Sequence, residues 1–352
     1  MFSSSGIIQK RFSSEFGVTE KIRVGFAGVA HFHADSYVQC FKMIPNVEVV
    51  GAFERNRELA IQFSDRFGTQ LHESLQALLR DVDAVVVASE NAFHFEYAAE
   101  AVENKKHVLC EKPMTIDLEQ ADKLVKLVEK NGVKFQMCYV MRYHTVTSLA
   151  KGLVDEGKIG KLLSIIGTNK LNRYLVLLRN WFTDKRLSGG GAVMDHTVHL
   201  SDLIRWYSGS EIEEVYTEIG RNVNENLSVE DNFLTTVRTQ NRVIGHIDGS
   251  WTYSSGHYTW GDVTLELLGT DGVIYVDAFR QNINFIGNEK PSDRLSWHYY
   301  GCNADLSLVK DFIRCIVEDT QPLADVYDGR QGVAVTLASY ESSRTGRAVK
   351  PK

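Results

Sequence analysis

The chain has 352 residues, more than one ordinary core accommodates, which points to two domains of roughly 130 to 220 residues. An apolar fraction of 43%, a charged fraction of 24% and a formal net charge of −6 without a long basic run describe a soluble globular protein. They exclude nucleic acid or an anionic membrane surface as its main partner. The five cysteines, Cys40, Cys110, Cys138, Cys302 and Cys315, are odd in number and free of CxxC spacing, so no disulfide framework and no metal site is expected, and the compartment read from them is the cytoplasm. No apolar run reaches the roughly 18 residues of a membrane span. Residues 1–20 lack the apolar core of a secretory signal and read as an N-terminal arm.

From residue 21 to about 140, short apolar runs alternate with helical periodicity, the signature of βαβ units and a parallel sheet. Strands are predicted over Ile22–Ala27, Val47–Phe53, 84–88, 107–109 and Phe135–Met137. Helices are predicted over 33–41, Arg57–Phe67, 74–79, 93–103 and Leu118–Asn131. This is the pattern of an α/β domain.

The first strand runs into Gly28-Val-Ala30-His31-Phe32-His33, an imperfect dinucleotide fingerprint. Ala30 takes the place of the second glycine and is small enough to let the backbone approach a pyrophosphate at the helix N-terminus. His33 takes the third place, which implies either a wider gap between strand and helix or a side chain facing the ligand. The second strand ends at Glu54-Arg55; an acidic residue there accepts hydrogen bonds from ribose hydroxyls and favours NAD, whereas Arg55 could take the 2′-phosphate of NADP. Ser89, Asn91 and His94 follow the third strand and would border the nicotinamide, although Asn91 equally suits a helix N-cap.

The run 107–109 leads into Cys110-Glu111-Lys112-Pro113, which places a lysine just beyond a strand's C-terminal end, where open α/β sheets bind ligands. Farther on, Gly189-Gly190-Gly191 opens a predicted helix on which Asp195 and His199, four residues apart, share a face. A capped helix with a core histidine and an ion-paired aspartate would also produce that pattern. His196 points about 100° away around the helix and is expected off the main face.

Residues 141–352 change texture. After a helix over 145–156, strands are predicted at 162–171, 213–219, 232–238, 243–251, 263–268 and Val273–Asp277, many alternating as a half-buried antiparallel sheet does. Thr270-Asp271-Gly272 signals a hairpin. Helices are predicted over 306–318 and 329–343. The stretch 280–301, with Trp297, Tyr299 and Tyr300, has no clear period and reads as an edge strand or a loop.

With these stretches placed, residues 21–350 resemble the Gfo/Idh/MocA family of NAD(P)-dependent sugar and cyclitol oxidoreductases. The resemblance rests on Lys106-His-Val-Leu-Cys-Glu111-Lys112-Pro113-Met114, on the three glycines followed by Asp195, His199 and Asp202, and on Asp328-Gly329 through Ala338-Ser-Tyr340-Glu-Ser342. The altered glycine turn departs from the family pattern.

The resemblance implies an N-terminal Rossmann domain and a C-terminal α+β domain with a large, mostly antiparallel open sheet. One face of that sheet carries the active site; the other often joins subunits, here into a homodimer or homotetramer. The cofactor is expected against Gly28, Ala30, His31, Phe32, Glu54, Arg55, Ser89, Asn91, His94, Glu111 and Lys112. A sugar, polyol or cyclitol substrate is expected against Arg142, Asn169, Arg173, Trp181, Asp195 and His199, with Tyr143 nearby.

In the family the lysine, here Lys112, contacts the reacting hydroxyl, while Asp195 and His199 orient substrate and move the proton. Two other readings share the scaffold: a glycosidase that oxidises transiently with held NAD, and a dinucleotide sensor without turnover. A sensor has no need of the proton-handling set.

Overall fold

The structure, a computed structural model, describes residues 21–257, 259–280, 282–286, 295–299 and 301–352. The arm expected over residues 1–20 and Tyr300 lie outside them. The described residues fall into two compact units, one of residues up to 115 with 119–138 and 305–329, the other of residues 116–118, 139–304 and 330–352.

The first unit alternates strand and helix. Its elements are β1 (Ile22–Ala27), α1 (His33–Lys42), β2 (Val47–Phe53), α2 (Arg57–Phe67), β3 (Gln70–Leu71), α3 (Leu75–Asp81), β4 (Ala84–Val87), α4 (His94–Glu103), β5 (His107–Cys110), α5 (Leu118–Asn131) and β6 (Phe135–Met137). All strands are parallel in the order β3-β2-β1-β4-β5-β6, the doubly wound arrangement of a dinucleotide fold. The run Ala-Val-Val-Val of β4 is fully buried, as a central parallel strand covered on both faces must be. The two-residue β3 escapes periodicity because it is too short to show any.

Start and stop signals act locally. Asn56 and Ser74 accept backbone N–H groups at the starts of α2 and α3, and Gly68 ends α2 in the left-handed region at φ +60°. The expected helix over 93–103 is preceded by a 3-10 turn at Asn91–Phe93, and Asn91 is the first residue of that turn, not a helix N-cap.

The second unit begins with α6 (Thr145–Asp155) and β7 (Leu162–Asn172), followed by short helices α7 (Arg173–Leu177) and α8 (Lys185–Ser188) and by α9 (Ala192–Ser208). Then come β8 (Ile212–Ile219), β9 (Asn232–Thr239), β10 (Ile244–Tyr253), β11 (Gly261–Gly269), β12 (Val273–Asp277) and a strand pair of its own, β13 (Asn282–Ile286) with β14 (Leu295–Tyr299). Helices α10 (Ala304–Val317) and α11 (Val326–Thr345) end the chain. The stretch expected to be an edge strand or loop thus holds a hairpin that joins neither large sheet.

The six-stranded sheet runs β12-β11-β7-β10-β9-β8, antiparallel except for β7 with β10. Helix α9 lies close on one face because that face is cut away by glycines. A Cβ at Gly245 would come within 2.7 Å of Ile204, one at Gly167 within 3.0 Å of Leu200, and one at Gly249 within 3.2 Å of His196. Burying side chains such as Leu200 and Leu203 here is worth about 1.5–3 kcal/mol apiece.

Candidate active site

In the first unit the candidate residues gather at the C-terminal ends of β1, β4 and β5. The order of the sheet switches direction between β1 and β4, and it is at such a switch point, beyond the C-terminal strand ends, that sheets of this kind bind ligands. Gly28 occupies that point with φ +81°, and a Cβ on it would meet Ser89 at 2.4 Å. Both the turn and the close approach therefore demand glycine.

Glu54 is buried at the end of β2. Its Oε2 accepts the Val29 N–H at 2.8 Å and its Oε1 the Asn56 N–H at 2.9 Å, so it ties the turn to β2. Arg55 pairs with Glu96, and its guanidinium stacks 4.2 Å from the Phe93 ring centroid.

The two histidines, His31 and, in the place of the third glycine, His33, are structural parts of the turn. His33 N–H donates to Nδ1 of His31 at 3.2 Å, and Ala34 N–H to the His31 carbonyl at 3.1 Å, so His31 accepts from the first two residues of α1, whose N-cap is Phe32. Phe32 is the exposed member, stacked on His31, while Ala30 is buried. His33 turns toward Glu111, with Nδ1 2.9 Å from Oε1.

Glu111 is fully buried. Its Oε1 also accepts the Tyr37 hydroxyl at 2.5 Å, its Oε2 accepts the Lys112 N–H at 3.0 Å, and His31 Nε2 stands 4.0 Å away. Burial by itself would push the Glu111 carboxyl up, but His31, His33 and Lys112 together outweigh it and hold it well below the usual range. Burial opposes the charge on His33 as well, and Glu111 overcomes it, raising His33 above the ordinary imidazole value.

The ligand atoms of His31, His33 and Glu111 lie within 4.8 Å of one another, a spacing that suits a metal ion. The hydrogen bonds argue for protons instead. Because His31 accepts at Nδ1, its neutral ring carries the proton on Nε2, where a metal would need a lone pair.

Lys112 follows in a cis peptide with Pro113 and is itself buried. His94 braces this turn: Nδ1 lies 2.7 Å from the Pro113 carbonyl and Nε2 3.2 Å from that of Ser89. Burial lowers His94, so the neutral ring donates one N–H, and the shorter distance assigns it to Pro113. Both nitrogens therefore face backbone carbonyls at a position where sequence suggested cofactor contact.

In the second unit α9 supplies the candidate pair. Its glycine run answers to Glu230 and Tyr340. A Cβ at Gly191 would fall 2.0 Å from the Glu230 carbonyl oxygen, and one at Gly190 1.8 Å from the Tyr340 hydroxyl. Glu230 Oε1 accepts the N–H groups of Gly191 (2.8 Å) and Val193 (3.1 Å) and the Tyr340 hydroxyl (2.6 Å), which places a carboxylate on the positive end of the helix. Glu230 carried no local signal, since it lies about forty residues after the helix start it caps.

One turn on, Asp195 Oδ2 accepts the Trp251 indole N–H at 3.0 Å. His199 is half-buried, its ring 6.4 Å from that of Tyr139. His196 faces the sheet, yet its Nε2 comes within 3.3 Å of Asp195 Oδ2, nearer the pair than its position around the helix suggested.

The other expected substrate contacts divide. Arg142 forms a buried bidentate pair with Asp202, Nε to Oδ2 at 2.8 Å and Nη2 to Oδ1 at 2.5 Å, so its guanidinium is committed to α9. Trp181 is buried and stacked on Phe182 with centroids 4.1 Å apart. Asn169 sits on the helix-facing side of β7, opposite Gly249 and Val263. Arg173 opens α7 and, like Tyr143, is half-buried.

The family model of the GFO/IDH/MocA oxidoreductases with an NAD-binding Rossmann fold matches residues 22–139, and the model of the GFO/IDH/MocA C-terminal domain matches residues 147–275. The chain belongs to the Gfo/Idh/MocA family. As a Gfo/Idh/MocA oxidoreductase it acts on CH–OH groups with a nicotinamide dinucleotide.

It is 34% identical over 190 residues to glucose-6-phosphate 3-dehydrogenase of Bacillus subtilis, spanning about half of each chain (52% and 52%). It is 25% identical over 340 residues to myo-inositol 2-dehydrogenase of Thermotoga maritima, covering 93% of this chain and 97% of that one. A solved structure, GenD2 from gentamicin A biosynthesis in complex with NAD, shares the fold at a TM-score of 0.84 and 22% identity, covering 95% and 97% of the two chains.

Proposed function

We propose that this Gfo/Idh/MocA protein is an NAD-dependent dehydrogenase of a ring secondary alcohol in a sugar, polyol or cyclitol. The observation that carries the proposal is Asp195 held by the Trp251 indole, one helical turn before the half-buried His199. The names of the relatives, glucose-6-phosphate 3-dehydrogenase and myo-inositol 2-dehydrogenase, agree with a ring hydroxyl as substrate.

The bound nicotinamide supplies a hydride acceptor. His199 takes the hydroxyl proton as general base, a task an imidazole performs near neutrality. Lys112 donates a hydrogen bond to the oxygen on which negative charge grows, and one such donor is worth about 3 kcal/mol. Asp195, aimed by Trp251, orients the substrate hydroxyls, and Asn169 contributes a contact from the same face of the sheet. Gly28, held at φ +81° and packed directly against Ser89, gives the tight turn that a dinucleotide fold needs after its first strand.

NAD is preferred over NADP in this reading. In it Glu54 is the acceptor for the ribose hydroxyls, supported by the engagement of Arg55 with Glu96 and Phe93.

The proposal includes the cytoplasm as compartment, in keeping with five free cysteines. It also includes a homo-oligomer formed through the sheet face opposite α9, where Ile166, Leu234, Ile244, Leu268 and Tyr275 are exposed together.

Lys112→Ala and His199→Ala variants, assayed by nicotinamide absorbance with a panel of aldoses, polyols and inositols, test the proposal. Each is expected to lose at least about a hundredfold in turnover. Retention of more than about a tenth of wild-type turnover by both would remove these residues from the chemistry. Release of an aglycone without net NAD reduction would point to a glycosidase.

A further inference from the structure

The buried cluster around Glu111 is left unused by the chemistry above. Its carboxylate collects donors from three directions: His33 from the turn after β1, Tyr37 from α1, and the Lys112 backbone N–H from its own turn. A buried ion pair is a poor source of stability, because desolvation offsets most of the Coulomb attraction. What such a pair supplies is direction. Oε1 is pinned by two donors from α1, and Oε2 then fixes the peptide that begins Lys112.

We propose that Glu111, clamped by His33 and Tyr37, is a positioning residue for hydride transfer, setting the backbone of Lys112 relative to the Gly28 turn. The inference rests on the assignment of Lys112 made above. It also accounts for histidine where the dinucleotide fingerprint has a third small residue: the ring reaches across to Glu111 and joins the two turns.

The electrostatic surroundings fit a clamp that stays ionic at neutral pH. Besides His31, His33 and Lys112, the facing groups are Cys110 and Cys138, whose thiols burial pushes well up, and Asp305, whose Oδ2 takes the Ser36 hydroxyl at 2.5 Å. Burial also raises the Tyr37 phenol well above its usual value, which keeps it a donor.

The test uses full-length protein with Glu111→Gln and Tyr37→Phe variants, and His33→Asn to assign the His33 resonances. In a histidine-labelled NMR titration the wild-type His33 ring should titrate above the usual imidazole value of about 6.5, and the Glu111→Gln ring lower than the wild type, because Asp305 alone then opposes burial. In steady-state assays both Glu111→Gln and Tyr37→Phe should lower kcat by about tenfold or more while KM for the alcohol moves by less than about threefold, since small misplacements cost rate before binding. The primary isotope effect with substrate deuterated at the oxidised carbon should rise in both.

A merely structural role would move stability but not the isotope effect. An unchanged His33 titration in Glu111→Gln, or kcat within about twofold of wild type in Tyr37→Phe, overturns the inference. Should Glu111→Gln fail to fold, Tyr37→Phe still decides, because it leaves the carboxylate in place. If the wild type reduces no NAD with any alcohol, the proposed function has failed, and the titration, which needs no substrate, still judges the clamp.

Discussion

The indole N–H of Trp251, at the inner side of β10, donates to Oδ2 of Asp195 on α9 across 3.0 Å. The donor fixes which way the carboxylate faces, and a hydrogen bond to a charged group is worth about 1.5–3 kcal/mol. Trp251→Phe keeps the ring and removes the donor. We expect kcat/KM for the alcohol to fall by about tenfold or more, with NADH affinity, read by fluorescence, near wild type. An unchanged kcat/KM would show that Asp195 is aimed without the indole.

Gly191 stands so close to Glu230 that a Cβ would sit 2.0 Å from its carbonyl oxygen. In Gly191→Ala the backbone must move, and the carboxylate loses its grip on the first N–H groups of α9. The expected cost is at least about 2 kcal/mol, seen as a drop of roughly 4–8 °C in Tm. Glu230→Gln keeps the acceptor and loses only the charge, so calorimetry should find a smaller drop, of about 1 kcal/mol or less. Equal losses in the two variants would contradict this account of the glycine run.

Arg142 and Asp202 are both buried and bonded through two nitrogens and two oxygens. Arg142→Ala would leave a carboxylate stranded in the interior. Chemical denaturation should show a loss of about 3–5 kcal/mol, whereas the double variant Arg142→Met with Asp202→Leu should recover most of it. A stable Arg142→Ala protein with a raised KM for the alcohol would return Arg142 to the substrate site.

The parallel sheet was legible because its longer strands are short, largely apolar runs that end at turn residues, as in Ala84–Val87 before Ala88-Ser89. The antiparallel sheet was legible from alternation, plainest in β9. Strand β3 was not, since two residues carry no period. The hairpin of β13 and β14 was only half legible, because the sequence of that stretch has no clear period.

At the site, the run after β5 pointed to Lys112 through its place beyond a strand end, and i,i+4 spacing placed Asp195 and His199 on one face. The identities of the partners were hidden. Nothing near Asp195 in the chain names Trp251, 56 residues later, and nothing near Gly191 names Glu230. Arg142 was expected at the substrate, and nothing near it in the chain names Asp202, 60 residues later.

What the sequence by itself determined is the class of each element and the residue types carried at strand ends and helix starts, because backbone propensity and hydrophobic period act over a few neighbouring residues. Only the tertiary structure decided which buried charge meets which donor: Glu111 with His33 and Tyr37, Glu230 with the start of α9, Arg142 with Asp202. Those pairings join positions tens of residues apart, and their energies depend on distances of a few ångströms in a dry interior, which no local pattern encodes.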